Sequence, residues 1–186
     1  MRSPTLELLV AFAALFVLQL VAGLLGGGLG WFALSAPFAR PWTLVTSVYA
    51  HASLSHLFAN AVALALVGFA LERFTTRWRF HAFVLVTGML AGLAELLVGG
   101  LLGRPVAVLG ASGAVLALYG YVLAGNPLTG GLLARFDLGY RARTALLVGV
   151  AVAVTVLTAG AGVALVAHFT GVVLGAVGGR LHVLDA

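Results

Sequence analysis

Long apolar runs separated by short polar segments dominate the pattern along the chain. The runs lack the strict alternation of apolar and polar residues that marks a membrane β-strand. Several approach the ~20 residues that a helix needs to cross a bilayer. The pattern predicts six membrane-crossing helices, at about residues 5–25, 53–71, 80–100, 112–125, 144–158 and 163–178.

Composition places these helices in a lipid bilayer. Of the 186 residues, 62% are hydrophobic and only 8% are charged, whereas soluble domains carry about 25% charged residues. So few charges cannot cover a water-facing surface. We therefore expect an all-α polytopic membrane protein, with one domain over residues 1–186.

The basic residues, all of them arginine, predict the topology. With both termini in the cytoplasm, eight face the cytoplasm, namely Arg2, Arg73, Arg77, Arg79, Arg135, Arg141, Arg143 and Arg180. Arg40 and Arg104 face outward, which gives a positive-inside bias. Because the arginines are spread between spans, the net charge of +5 does not indicate a nucleic-acid partner. Glu72, Arg73, Arg77 and Arg79 are expected to form a short loop between the second and third spans.

Cofactor chemistry finds little support in the sequence. The absence of cysteine excludes disulfides, thiol catalysis and cysteine metal sites. His56, Glu95 and His168 are too scattered for the H-E-x-x-H helix of a zinc protease, so we expect no metal and no cofactor. Glu95 is expected near the outer end of the third span, where it reaches interfacial water, and a role as a gate or a substrate contact stays open as the alternative.

Polar side chains inside spans are costly and mark candidate functional sites. His56 and Asn60 lie four residues apart and therefore share one helix face. Two interpretations stay open for this pair. The side chains either hydrogen-bond between helices or donate hydrogen bonds toward a common point.

Small residues frame the other two candidates, Ser112 and His168. The fourth span starts within Gly110-Ala111-Ser112-Gly113, and in the sixth span His168 is followed by Gly171 and Gly175 on the same face. Small residues at this spacing let two helices approach closely. A matching stripe runs along the fourth span at Gly113, Ala117, Gly120 and Ala124. Packing of the two faces would bring Ser112 toward His168, although a serine among glycines is by itself more often a packing feature than a catalytic one.

Together these residues point to nucleophilic catalysis. A serine hydroxyl needs an adjacent base, which His168 offers. A tetrahedral intermediate needs donors around its oxyanion, which His56, Asn60 and the Ser112 backbone N–H offer. No carboxylate is well placed to orient His168, so the sequence indicates a Ser-His dyad rather than a triad.

Three motifs resemble those of the rhomboid family of intramembrane serine proteases, in its bacterial and archaeal type with a minimal six-helix core. The matches are the H-x4-H-x3-N pattern at His51, His56 and Asn60, the G-x-S-G motif at Gly110 to Gly113, and the last-helix pattern at Ala167, His168, Gly171 and Gly175. They occur in the family's order on the corresponding spans.

The resemblance implies a role for each matched residue. Ser112 would be the nucleophile, His168 the general base, and His56, Asn60 and the Ser112 backbone N–H the oxyanion hole. The supporting residues would be His51, lining a water-accessible cavity, and Gly110, Gly113, Gly171 and Gly175. The polar pair Glu72 and Arg73 resembles a structural feature of relatives.

The resemblance also implies the setting of the reaction. The protein would lie in a prokaryotic cell membrane and cleave single-span membrane proteins near the outer face, and its oligomeric state stays open. Leu116 departs from the family, which often has an aromatic residue there that stacks on the catalytic histidine, and Trp42-Thr43 replaces a frequent Trp-Arg.

Two other function classes stay open at this point. One is a non-catalytic rhomboid-like protein that binds membrane clients. The other is a small transporter, which the absence of an internal repeat disfavours.

Overall fold

The protein is a bundle of largely apolar helices. The computed structural model describes residues 3–125 and 164–185, together with positions 142, 145 and 149. Its α-helices are α1 (Pro4–Leu24), α2 (Thr43–Tyr49), α3 (Leu54–Leu71), α4 (Arg77–Leu101), α5 (Ser112–Gly125) and α6 (Leu165–Arg180). A 3₁₀ turn, Leu29–Trp31, lies between α1 and α2.

Five of these helices correspond to predicted spans. In the described part of the chain, α1, α3 and α4 are long and apolar enough to cross a membrane, and α5 and α6 are shorter apolar helices. The protein is thus an all-helical polytopic membrane protein. The predicted span at 144–158 lies outside the described residues, apart from positions 145 and 149.

The starts of α1, α3 and α4 follow from capping side chains. Ser3 accepts a hydrogen bond from the Leu6 N–H at the start of α1, and Ser53 accepts one from the His56 N–H at the start of α3. Thr76 does the same for the Arg79 N–H of α4. Because Thr76 is an N-cap, Arg77 and Arg79 belong to α4, and the prediction that they lie in a loop is wrong.

Among the described helices, the closest contact joins α5 to α6, backbone against backbone. A Cβ atom added to Gly171 would lie 2.1 Å from the Gly113 carbonyl oxygen, and one added to Gly175 would lie 1.9 Å from that of Ala117. From the other side, a Cβ on Gly120 would lie 2.3 Å from the Val172 carbonyl oxygen. No larger residue fits at these glycines unless the helices separate.

The loop between α1 and α3 folds over the segment that leads into α5. Leu34 and Val108 exchange two backbone hydrogen bonds, of 2.8 and 2.9 Å, as an antiparallel bridge. Two residues further on, the Gly110 N–H donates to the Ser47 carbonyl of α2 over 2.8 Å. These bonds fix the start of α5 from outside the bundle.

Acidic side chains join the helices at the opposite end. Glu72 accepts hydrogen bonds from the Ser3 hydroxyl (2.7 Å) and the Thr5 N–H (3.1 Å), so it ties the end of α3 to the start of α1. Arg73 donates instead to the Phe69 carbonyl within α3. Both residues thus make structural contacts, each with a different partner.

A methyl group at position 175 tests the backbone contact between α5 and α6. Because its Cβ would meet the Ala117 carbonyl, Gly175→Ala is expected to lower the free energy of unfolding by about 3 kcal/mol or more. Gly100→Ala is the matched control, since a Cβ there meets nothing within 4 Å. It should change the stability by less than about 1 kcal/mol. Titration with SDS in detergent micelles measures both, and equal stabilities would contradict the close approach.

Candidate active site

Ser112 is the first residue of α5, and the backbone before it makes a sharp turn. Gly110 has φ +124°, a conformation that only glycine adopts readily. The turn directs the Ser112 side chain into a cavity and leaves it at a helix N-terminus, where the partial positive charge of the helix favours a developing negative charge.

His168 approaches Ser112 from α6, across the glycine contact. Its Nε2 lies 2.8 Å from the Ser112 Oγ, within hydrogen-bonding distance. The His168 side chain is buried, with the residue 8% exposed. The two side chains that the sequence nominated as nucleophile and base are therefore hydrogen-bonded to each other, although they are 56 residues apart in the chain.

His56 and Asn60 of α3 face the same cavity, whose volume is about 650 Å³. The Asn60 side-chain amide donates to the His56 carbonyl over 3.0 Å, one turn earlier in α3. The His56 ring lies against Gly110, where a Cβ would come within 2.5 Å of its Cε1 atom. Gly110 therefore serves two purposes, the turn into α5 and the space for the His56 ring.

The position of His51 corrects the expectation from the sequence. The residue is 0% exposed and is not part of the cavity wall that His56 lines. Its ring packs edge-on between Phe12 of α1 (centroids 5.0 Å apart) and His56 (5.2 Å). His51 therefore does not line the water-accessible cavity, because α1 covers it. It supports the wall from behind.

Gln19 is a polar residue of α1 that the sequence reading missed. Its side-chain amide donates to the His51 carbonyl over 3.1 Å and accepts from the His51 N–H over 3.0 Å. This reciprocal pair satisfies both backbone groups of a buried residue. A lone amide in an apolar span was the available signal, since such groups seek partners inside the bundle.

The wall below Ser112 contains Leu116 and Tyr119. Leu116 lines the cavity at the position where relatives often carry an aromatic residue. Tyr119 lines it as well, but its hydroxyl donates to the Ala63 carbonyl of α3 over 3.1 Å. Tyr119 therefore links α5 to α3.

Glu95 of α4 also contributes to the surroundings of the site. Its carboxylate accepts a hydrogen bond of 2.9 Å from the Ala167 N–H, the residue before His168. The sequence predicted that the Glu95 side chain reaches interfacial water, and it did not predict the hydrogen bond to Ala167. Within the described residues, no cluster of three or more His, Asp or Glu side chains could hold a metal ion.

Comparison with protein families identifies the fold. The family model of the Rhomboid domain matches residues 39–183, which covers most of the chain. The chain belongs to the rhomboid family. A search of curated proteins gave no significant match. Rhomboid proteins are typically intramembrane serine proteases, and some rhomboid-like members are inactive. Whether a rhomboid is catalytic therefore depends on the residues of its own site.

A methyl group at Gly110 tests the contact with His56. Gly110→Ala introduces a strained φ and a clash with the ring, and we expect it to lower the free energy of unfolding by about 3 kcal/mol. Gly103→Ala is the matched control, since Gly103 also has a positive φ (+66°) but open space around it. It should cost only about 1–2 kcal/mol.

NMR signals of the ¹⁵N-labelled His56 ring provide the second readout. They should shift in Gly110→Ala and stay in place in Gly103→Ala. Identical effects of the two substitutions on stability and on the ring signals would show that His56 does not pack on Gly110.

Proposed function

We propose that this rhomboid is an intramembrane serine endopeptidase that cleaves transmembrane-helix substrates through a dyad of Ser112 and His168. The observation that carries the proposal is the 2.8 Å hydrogen bond between the Ser112 Oγ and the His168 Nε2. The pair faces a cavity large enough for a stretch of peptide, and His56 and Asn60 are among the polar residues on its wall.

His168 acts as the general base in the first step. The neutral ring carries its proton on Nδ1, so that Nε2 accepts the proton of the Ser112 hydroxyl as the oxygen attacks the substrate carbonyl. The imidazolium then gives this proton to the leaving amine when the peptide bond breaks. An acyl-enzyme on Ser112 remains, and a water molecule activated by His168 hydrolyses it.

In the proposed mechanism, three groups donate hydrogen bonds to the oxyanion. The backbone N–H of Ser112 has no partner within α5, because the first N–H groups of a helix lack acceptors in the preceding turn. His56 contributes a ring N–H from the facing wall. Asn60 uses one amide hydrogen for the His56 carbonyl and keeps a second for the oxyanion.

The substrate reaches the dyad as an unwound segment of a membrane helix. An intact helix holds its carbonyls in its own hydrogen bonds, so residues that weaken a helix favour cleavage. The cavity wall carries several small residues that leave room for such a segment, including Ala52, Ala59, Ala63, Ala107 and Ala164. With cytoplasmic termini, the site opens toward the outer face of a prokaryotic cell membrane, and single-span membrane proteins are the substrates.

Cleavage of a single-span test substrate by the purified protein in detergent tests this function. Ser112→Ala and His168→Ala should each abolish cleavage, since neither the hydroxyl nor the imidazole can be replaced by the other. Ser35→Ala is the control, because it removes a serine hydroxyl that is hydrogen-bonded to Arg40 in the first loop and does not line the cavity. It should retain cleavage. Cleavage by Ser112→Ala at the wild-type rate would contradict the proposal. Binding of the substrate without cleavage by the wild type would favour the client-binding alternative.

The oxyanion donors give a separate prediction. Asn60→Ala and His56→Ala should each lower kcat by about 100-fold, a typical loss for one oxyanion donor, with a small effect on KM. The reason is that the charge on the oxygen develops only in the transition state. Steady-state kinetics on the same substrate measures both constants. An unchanged kcat in both variants would exclude them from the oxyanion hole.

A further inference from the structure

The start of α6 has no capping side chain of its own. Ala164 occupies the N-cap position and has no side-chain acceptor, and the first intrahelical bond runs from the His168 N–H to the Ala164 carbonyl. The Ala167 N–H, one residue earlier, therefore has no acceptor within the helix. An N–H group left without a partner inside a membrane bundle is costly.

Glu95 supplies the missing acceptor from a different helix. Its carboxylate oxygen lies 2.9 Å from the Ala167 nitrogen, across 72 residues of sequence. The helix that carries it, α4, packs against both α5 and α6. A carboxylate at a helix N-terminus also interacts favourably with the helix dipole. Glu95 thus caps α6 in place of a local residue.

The contact between α5 and α6 gives this cap its importance. Gly171 and Gly175 bring the two backbones together, since a Cβ added to either would meet a backbone carbonyl of α5. The first turn of α6, beside this contact, carries the His168 imidazole that meets Ser112. The hydrogen bond from Glu95 ties that first turn to α4.

We infer that Glu95 is a positioning residue, which holds α6 so that His168 stays in register with Ser112. The inference rests on the proposed function for its effect on the reaction, and on the hydrogen bond to Ala167 for its effect on structure. His168 directly follows Ala167, so a shift of the helix start moves the imidazole. A misplacement of about 1 Å lowers a reaction rate by about 100-fold.

An acceptor oxygen is the property that this role requires. Glu95→Gln keeps a side-chain oxygen at the same distance from the backbone, whereas Glu95→Leu removes it and keeps the approximate size. We expect Glu95→Gln to retain activity within about threefold and Glu95→Leu to lose about 100-fold in kcat, with KM nearly unchanged. Rescue by glutamine separates the hydrogen bond from the negative charge.

Glu72 offers a matched control elsewhere in the bundle. It also accepts a backbone N–H at a helix start, that of Thr5 in α1, but far from Ser112 along the bundle. Glu72→Leu should lower the thermal stability in detergent about as much as Glu95→Leu and leave kcat within about threefold of the wild type. A loss of kcat of equal size in both variants would reduce Glu95 to a general stabilising residue and overturn the inference.

Amide hydrogen exchange of the peptide around Ala167 provides a readout that does not depend on catalysis. The Ala167 amide should exchange about tenfold faster in Glu95→Leu than in the wild type or in Glu95→Gln. Unchanged exchange would overturn the inference even if the protein proved to be a protease. A wild type that cleaves nothing but shows this exchange pattern would remove the proposed function and leave the structural role of Glu95 intact.

If Glu95→Leu folds poorly, two more conservative variants can replace it. Glu95→Gln and Glu95→Asp then carry the test, because aspartate shortens the side chain by one carbon and moves the acceptor away from Ala167. We expect aspartate to lower the labelling rate of Ser112 by a fluorophosphonate probe about tenfold, and glutamine to preserve it. Equal labelling by all three proteins would overturn the inference.

Discussion

The approach of α5 and α6 at backbone distance is the constraint on which the arrangement depends. Lipid tails are as apolar as leucine, so membrane helices associate through close packing and hydrogen bonds rather than through the hydrophobic effect. Gly171 and Gly175 allow carbonyl groups of α5 to approach the backbone of α6 directly. Because of this approach, a serine and a histidine from different helices meet within hydrogen-bonding distance. Larger residues at these glycines would separate the two side chains.

Several groups near Ser112 are held by contacts with another element. The His56 ring fits against Gly110, the backbone of His51 is paired with Gln19, and the start of α6 is paired with Glu95. The first loop adds the bridge between Leu34 and Val108. The geometry at Ser112 therefore depends on several elements of the bundle. A substitution that breaks one of these contacts is expected to shift the position of Ser112 or of the residues around it.

Local sequence patterns predict much of this architecture. Runs of apolar residues predict the spans, and small residues at intervals of three and four predict the contact between α5 and α6. Ser112 and His168 could be nominated because a nucleophile and a base have recognisable side chains. The contacts of Gln19 and Glu95 could not be predicted, because their partners are backbone atoms, which carry no residue identity. The burial of His51 depends on how α1 packs, and the start of α4 depends on the cap at Thr76, which the sequence reading overlooked.

Identifying the covalent intermediate tests most directly whether Ser112 is the nucleophile and His168 its base. Rapid acid quenching of the protein with a single-span substrate, followed by mass spectrometry of the Ser112 peptide, would detect an acyl group on the serine oxygen. If the dyad is catalytic, the amino-terminal fragment of the substrate is attached to Ser112, and His168→Ala abolishes this adduct. Cleavage of the substrate with no adduct on Ser112 at any time, or an adduct on another residue, would contradict a catalytic dyad.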